Sequence, residues 1–228
     1  MSFKEFTKEL NKKDKVEGEL VKTIFYSLLT SVVLFGILYF MKFRYVYNFI
    51  PKYGFFIFFA ILSYSLLTPT IKQVRAYNNF ACMSGMMIGM TIGMIAGFLG
   101  GYFIGATNGM FWGSVFGVVL GISLGIWLGK CCGIMGIMEG LMAGFMGGLM
   151  GAMTAVMMIN DNLKYATIFI FIISSIIMIG LNYMIYHETR ESERQRKEDN
   201  FLIIVLSFIL TAVTIWFMVF GPRSVLFS

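Results

Sequence analysis

Methionine is concentrated in the middle of this chain, at a spacing suited to binding a soft metal ion. Fourteen of the 19 methionines lie between positions 83 and 158. Many recur every three or four residues, which places them along one face of a helix. Thioether sulfur prefers soft cations such as Cu(I) to Mg²⁺ or Ca²⁺. The pattern therefore predicts two ladders of soft-metal ligands, Met83, Met87, Met90 and Met94, and Met135, Met138, Met142 and Met146, the second continuing to Met150.

Three cysteines stand where the two ladders begin. Cys82 precedes the first ladder, and Cys131 and Cys132 precede the second. The C-x₂-C spacing of zinc sites is absent. We expect these thiols to exchange a soft ion at one membrane face, with palmitoylation or an inert role as alternatives.

Glu139 is the only acidic residue deep inside an apolar segment. A carboxylate in a membrane is costly and is a functional-site candidate by default. It is expected to bind a cation, to carry a proton, or to pair with Lys130 or a hydroxyl group. Asn182, in a later apolar segment, is expected to be a satisfied polar contact.

Packing is the alternative explanation for the methionines, because their flexible side chains fill irregular gaps. Against it, the other apolar segments are built from Ile, Leu and Phe and contain few methionines.

The composition restricts the class of protein. The 228 residues are 58% hydrophobic and 13% charged, whereas soluble domains carry roughly a quarter charged residues. A soluble enzyme and a nucleic-acid-binding protein are therefore excluded, and no catalytic motif is present. We predict an all-α, polytopic transmembrane helical bundle with no enzymatic activity.

Seven charge-poor segments are long enough to span a bilayer, which needs about 20 residues. They form one transmembrane domain over 23–220, between a charged cytoplasmic tail at 1–22 and a short tail at 221–228. A charged cytoplasmic loop occupies 187–200. The predicted spans are 23–41, 53–71, 80–105, 109–129, 133–158, 165–186 and 201–220.

Lysine and arginine are unequally distributed about these spans, with thirteen on one side and five on the other. The positive-inside rule places the N-terminus in the cytoplasm and the C-terminus outside, most simply in the cell membrane.

Glycine recurs every fourth residue from Gly85 to Gly133, and the GxxxG pattern then continues one step out of phase. Such faces let helix backbones touch. We therefore predict a glycine-zipper core of the third, fourth and fifth spans, with a glycine-lined pore as the alternative. The packing residues are Gly85, Gly89, Gly93, Gly97, Gly101, Gly113, Gly117, Gly121, Gly125, Gly136, Gly140, Gly144 and Gly148.

The third and fifth spans also contain a direct repeat. The motif Ala-Gly-Phe-x-Gly-Gly at 96–101 recurs 47 positions later, at 143–148. One span separates the two copies, so both should run in the same direction and place similar residues at the same depth.

The combination of Met-xxx-Met with Gly-xxx-Gly, as in Met138, Met142 and Gly140, Gly144, resembles the chemistry of Ctr-type copper transporters. The similarity covers about 75 residues. The resemblance does not extend to the architecture. Ctr-type transporters are three-span trimers with a Met-rich outer tail, whereas this chain has about seven predicted spans and a tail rich in Lys and Glu.

The leading hypothesis is a membrane protein that binds or conducts a soft cation, with Cu(I) as the ligand. The first alternative is a non-catalytic accessory subunit whose glycine helices pack partner helices in a membrane complex. The second is a homo-oligomeric cation channel. The expected partners are the lipid bilayer and either further copies of the chain or other membrane subunits, but no nucleic acid.

Overall fold

The computed structural model describes residues 16–41, 53–77, 80–130, 133–189 and 200–222, and it is all-helical over these ranges. The predicted helical membrane bundle is confirmed. Seven helices follow one another along the chain: α1 (Val16–Met41), α2 (Phe55–Ala76), α3 (Cys82–Asn108), α4 (Met110–Gly129), α5 (Gly133–Met157), α6 (Leu163–Thr189) and α7 (Asn200–Phe220).

Six of these helices, α1 to α6, are long and apolar enough to cross a membrane, whereas α7 is apolar over the shorter stretch Ile204–Phe220. Helix α1 begins at Val16, seven residues before the predicted span, so the helix continues into a segment assigned to the tail. The rest of that tail, at 1–15, and positions 190–199 of the charged loop lie outside the described residues.

Helix α2 lies at the centre of one half of the bundle, where it contacts α1, α3, α6 and α7. Its side chains Tyr64, Leu67 and Ile71 are fully buried. Pro69 lies inside the helix and cannot donate to the carbonyl of Ser65. The Thr68 hydroxyl donates to that carbonyl instead, at 3.0 Å, which keeps the backbone oxygen satisfied within the apolar core.

Buried hydroxyl groups join the outer helices to this half. The hydroxyls of Ser27 on α1 and Ser207 on α7 lie 2.8 Å apart. Thr214 of α7 lies 3.0 Å from the Tyr64 hydroxyl of α2. Such polar contacts contribute about 0.6 kcal/mol each between membrane helices, where apolar surface alone gives no preference for helix over lipid.

The other half consists of α3, α4 and α5, which pack against one another through glycine. Helix α3 runs to Asn108, three residues past the predicted end of the span at 105, and a single non-helical residue separates it from α4. That residue is Gly109, whose φ of 108° is accessible to glycine at little cost. The chain therefore reverses so tightly that α3 and α4 are antiparallel from their first contact.

Five layers stack along this three-helix core, each containing one small residue from each helix. At Gly93, an added Cβ would lie 3.1 Å from the Gly125 Cα and 3.1 Å from the Gly140 oxygen. A Cβ at that distance would be closer than about nine in ten real Cβ contacts, so the neighbouring backbone would have to move. The layers are Gly89, Gly129 and Gly136; Gly93, Gly125 and Gly140; Gly97, Gly121 and Gly144; Gly101, Gly117 and Gly148; and Gly105, Gly113 and Ala152.

The layers explain the 47-residue repeat. In each layer, the α3 residue and the α5 residue are 47 positions apart, as in Gly97 and Gly144. Helices α3 and α5 are therefore parallel and in register, and the repeated motif lies at one depth in both. The glycine faces contact each other, so they do not line a pore within the chain.

A pair of glycine-to-alanine substitutions tests these contacts. An added Cβ at Gly144 would overlap the backbone of Gly121, whereas one at Gly180 of α6 would have nothing within 4 Å. We expect Gly144→Ala to destabilise the protein by about 1–3 kcal/mol through overpacking. Gly180→Ala should be neutral or stabilising by up to about 1 kcal/mol, because alanine favours the helix.

Thermal unfolding of the two purified variants in detergent measures the difference. Equal stability of Gly144→Ala and Gly180→Ala would contradict the layered packing.

Candidate functional site

The two methionine ladders lie on the outer surface of the three-helix core. On α3, the exposed fraction falls from 76% at Met83 to 38% at Met94, and on α5, Met135, Met138, Met142 and Met146 are between 49% and 67% exposed. Gap-filling methionines would be buried. Packing within the described part of this chain therefore does not account for these side chains, and we call this surface the methionine face.

The glycine layers determine which way the methionine side chains point relative to the core. In α5, Gly140 and Gly144 point into the core, while Met142 lies between them in sequence and 200° around the helix from each. In α3, Met87 lies in the same way between Gly85 and Gly89. Two helices whose glycines face inward must therefore present their methionines outward.

The two ladders lie at the same depth in the bundle. Gly147 of α5 packs on the backbone oxygen of Met94, and Gly151 packs on that of Phe98. Together with the layers, these contacts align each α3 residue with α5 residues 47 to 53 positions later. Met87 and Met90 are therefore at the depth of 134–143, the segment that carries Met135, Met138 and Met142.

Glu139 belongs to the same segment of α5 and is only partly buried. It lies six residues after the helix start at Gly133, or about 9 Å along the axis. Within the described part of the chain it makes no hydrogen bond or ion pair, and Lys130 is exposed at the end of α4. The expected alternative of pairing with Lys130 or a hydroxyl is therefore not observed among these residues.

Only one of the three cysteine thiols lies in the part of the chain that the structure describes. Cys82 is exposed at the first position of α3, beside the start of the first ladder. Cys131 and Cys132 lie outside the described residues. Among the residues that are described, no group of three or more His, Cys, Asp or Glu side chains is arranged to hold a metal ion. A metal at the methionine face would therefore have sulfur as its main ligand.

An apolar groove of about 570 Å³ lies between α4 and α5. Val115, Val119, Phe145 and Leu149 are among the residues that line it. The one polar side chain among the lining residues, Ser114, already donates to the Met110 carbonyl at 2.7 Å, so the groove suits a hydrocarbon chain or an apolar helix.

Sequence reasoning missed the buried polar groups of the other half. Ser27 and Ser31 face Ser207, and the i, i+4 spacing of the first two inside an apolar span is the signal that could have indicated them. The expectation for Asn182 is wrong. Its backbone oxygen accepts a hydrogen bond from Gln73, but its side-chain oxygen is buried with no hydrogen-bond partner among the described residues.

Comparison of the chain with protein-family models finds no match, and comparisons with curated proteins and with solved structures also find none. The fold itself defines the class: a polytopic helical membrane protein whose glycine-packed core carries an exposed methionine face.

Truncating methionines on and off the face tests their exposure. Met142 is 57% exposed, whereas Met178 of α6 is 2% exposed. We expect Met178→Ala to lower the free energy of unfolding by about 2–5 kcal/mol, because it leaves a cavity. Met142→Ala should change it by no more than about 0.5 kcal/mol in detergent-solubilised monomer. An equal loss in both variants would show that Met142 is packed.

Proposed function

We propose that this protein binds a soft monovalent cation, Cu(I), at the methionine face of α3 and α5. The observation that carries the proposal is the exposure of both ladders beside the carboxylate of Glu139, which has no partner within the described part of the chain. By contrast, the exposed large side chains of α6 are mostly Ile and Phe.

The chemistry of the face suits a soft ion. Residues three and four apart on a helix are neighbours, so Met138 and Met142 can offer two thioethers to one ion. Thioethers are uncharged and favour Cu(I) over hard cations. Glu139, between them, supplies the negative charge that offsets the charge of a bound cation.

The glycine core gives this face its rigidity. Because the backbones of α3 and α5 are in contact, the two ladders are held at fixed depth and parallel orientation. A metal site needs ligands positioned by a supporting structure, and packed helices hold them more accurately than loops do.

In the membrane, we expect a second protein surface to pack against the methionine face. The exposed sulfur atoms of one copy would supply only part of the ligand set of the ion. The same face of another copy, or a helix of a partner subunit, would supply the rest. No ATP-binding motif is present in the sequence, so movement of the ion would be passive or coupled to another ion. Cys82, with Cys131 and Cys132, would exchange the ion at the cytoplasmic side.

A non-catalytic accessory subunit is the second candidate, and the apolar groove between α4 and α5 favours it. There, the methionine face and the groove would dock helices of a larger complex, since methionine-rich surfaces adapt to varied partners. A homo-oligomeric cation channel would need its pore between copies, because the glycine faces are closed within the chain.

Copper binding to the purified protein tests the proposal. The full-length protein in detergent is incubated with Cu(I), freed of unbound metal, and analysed for copper content. We expect stoichiometric copper in the wild type and none after combined Met138→Leu, Met142→Leu and Glu139→Gln substitution. Met178→Leu, at a buried methionine off the face, is the matched control and should retain copper.

The possible outcomes separate the candidates. Copper retained by the triple variant would refute a site on the methionine face. Absence of copper from a folded wild type would refute the proposal and leave the accessory subunit as the better explanation, in which case other membrane proteins should co-purify with the chain.

A further inference from the structure

The line of contact between α3 and α5, which we call the seam, follows one stripe of residues on each helix. An added Cβ at Gly147 would overlap the backbone oxygen of Met94, and one at Gly151 would overlap that of Phe98. The contacted positions are four residues apart on both helices, so the two stripes run together along the bundle. At these two positions the seam pairs an α3 residue with the α5 residue 53 positions later.

Towards the start of α5, the next positions of its stripe are Ala143 and Glu139. Ala143 is buried, at 5% exposed. The two helices are still in contact at this depth, because an added Cβ at Gly93 would lie 3.1 Å from the backbone oxygen of Gly140, the residue after Glu139. Glu139 is partly buried, as expected for a long side chain at the edge of the seam. Its carboxylate therefore belongs to the side of α5 that faces α3.

On α3, the same stripe continues through Met90 to Met86. The pairing along the seam places Glu139 against Met86, and Met90 lies one turn further along the same face of α3. Burial agrees with this placement. Met86 is partly buried, whereas Met87, which projects about 100° from it, is 52% exposed. Two thioethers of α3 therefore lie across the seam from one carboxylate of α5.

Helix α5 adds a thioether beside the same carboxylate. Met142 lies three residues after Glu139, and residues three apart on a helix are neighbours on its surface. Met142 is 57% exposed, so its sulfur is not held in the core. The carboxylate consequently has methionine neighbours on both helices, and within the described part of the chain it has no hydrogen bond or ion pair.

The donor set and its charge indicate a soft monovalent ion. Thioether sulfur favours Cu(I) over hard cations. One carboxylate falls well short of the roughly six oxygen ligands that Mg²⁺ or Ca²⁺ takes. It neutralises an ion of single positive charge, whereas it leaves a divalent ion with an uncompensated charge. Net charge inside a membrane is costly, so the neutral combination is favoured.

We propose that Met86 is a ligand of the soft cation and that, with Met90, Glu139 and Met142, it forms one Cu(I) site across the seam. Met86 belongs to neither ladder. The inference rests on the proposed function, and it names the place within the methionine face at which the ion is held. A second protein surface packed on that face would add its ligands to this set.

Competition for Cu(I) between the full-length protein in detergent and a coloured Cu(I) chelator measures the affinity of the site. Loss of even an outer-shell partner of a metal costs about 10–100-fold in affinity, so loss of a ligand should cost at least as much. We therefore expect Met86→Leu, which nearly preserves the side-chain volume, to weaken Cu(I) binding at least about tenfold. Met90→Leu, at a 48% exposed position that tolerates substitution, should show the same loss.

Two further variants show where the loss originates. Met153 is also an exposed methionine of α5, but it lies about 21 Å along the helix from Glu139. Met153→Leu is therefore the matched control and should keep the wild-type affinity. Met87→Leu, directly beside Met86 in the sequence but off the seam, should weaken binding less than Met86→Leu does. The Tm of each variant, measured without metal, shows that it is folded.

The outcomes distinguish failure of this inference from failure of the proposed function. Wild-type affinity in both Met86→Leu and Met90→Leu would overturn the site across the seam, and so would a greater loss in Met87→Leu than in Met86→Leu. In either case the proposed function stands as long as the triple variant of Met138, Met142 and Glu139 loses its copper. A folded wild type that binds no Cu(I) would overturn both.

Discussion

Direct contact between helix backbones is the interaction on which the rest of this structure depends. In each of five layers, α3, α4 and α5 approach closely enough that a single Cβ would collide with a neighbouring main chain at most of the glycines. Hydrophobic burial does not drive this contact inside a membrane, because lipid is as apolar as the helix surface. Dispersion between closely matched surfaces drives it, and only the smallest side chains allow that match.

The same contact determines what the surface displays. A helix that places glycine on one face has its large side chains on the others, and in α3 and α5 many of these are methionines. The other half of the bundle is held differently, by large buried side chains around α2 and by hydroxyl pairs that join α1 to α7 and α7 to α2. One half therefore combines close packing with an exposed methionine face, and the other encloses polar groups within an apolar core.

Much of this architecture could be predicted from local patterns in the sequence. The four-residue glycine period predicted close helix packing, and the 47-residue repeat predicted that two helices share one depth. The orientation of the methionines could not be predicted, because it depends on which neighbours the glycines contact. The hydrogen bond between Gln73 and Asn182 could not be predicted either, because only helix packing brings together these two residues, which are 109 positions apart in the sequence. For that reason Asn182 was wrongly expected to be satisfied.

The single residue between α3 and α4 has a consequence for biogenesis. Gly109 alone joins two helices of 27 and 20 residues, which leaves no loop to remain in water while one helix enters the bilayer ahead of the other. The two must be inserted together as a helical hairpin, with their glycine faces already paired. Pairing during insertion also shields the main chain that glycine exposes, since each helix covers the least apolar surface of the other before lipid reaches it.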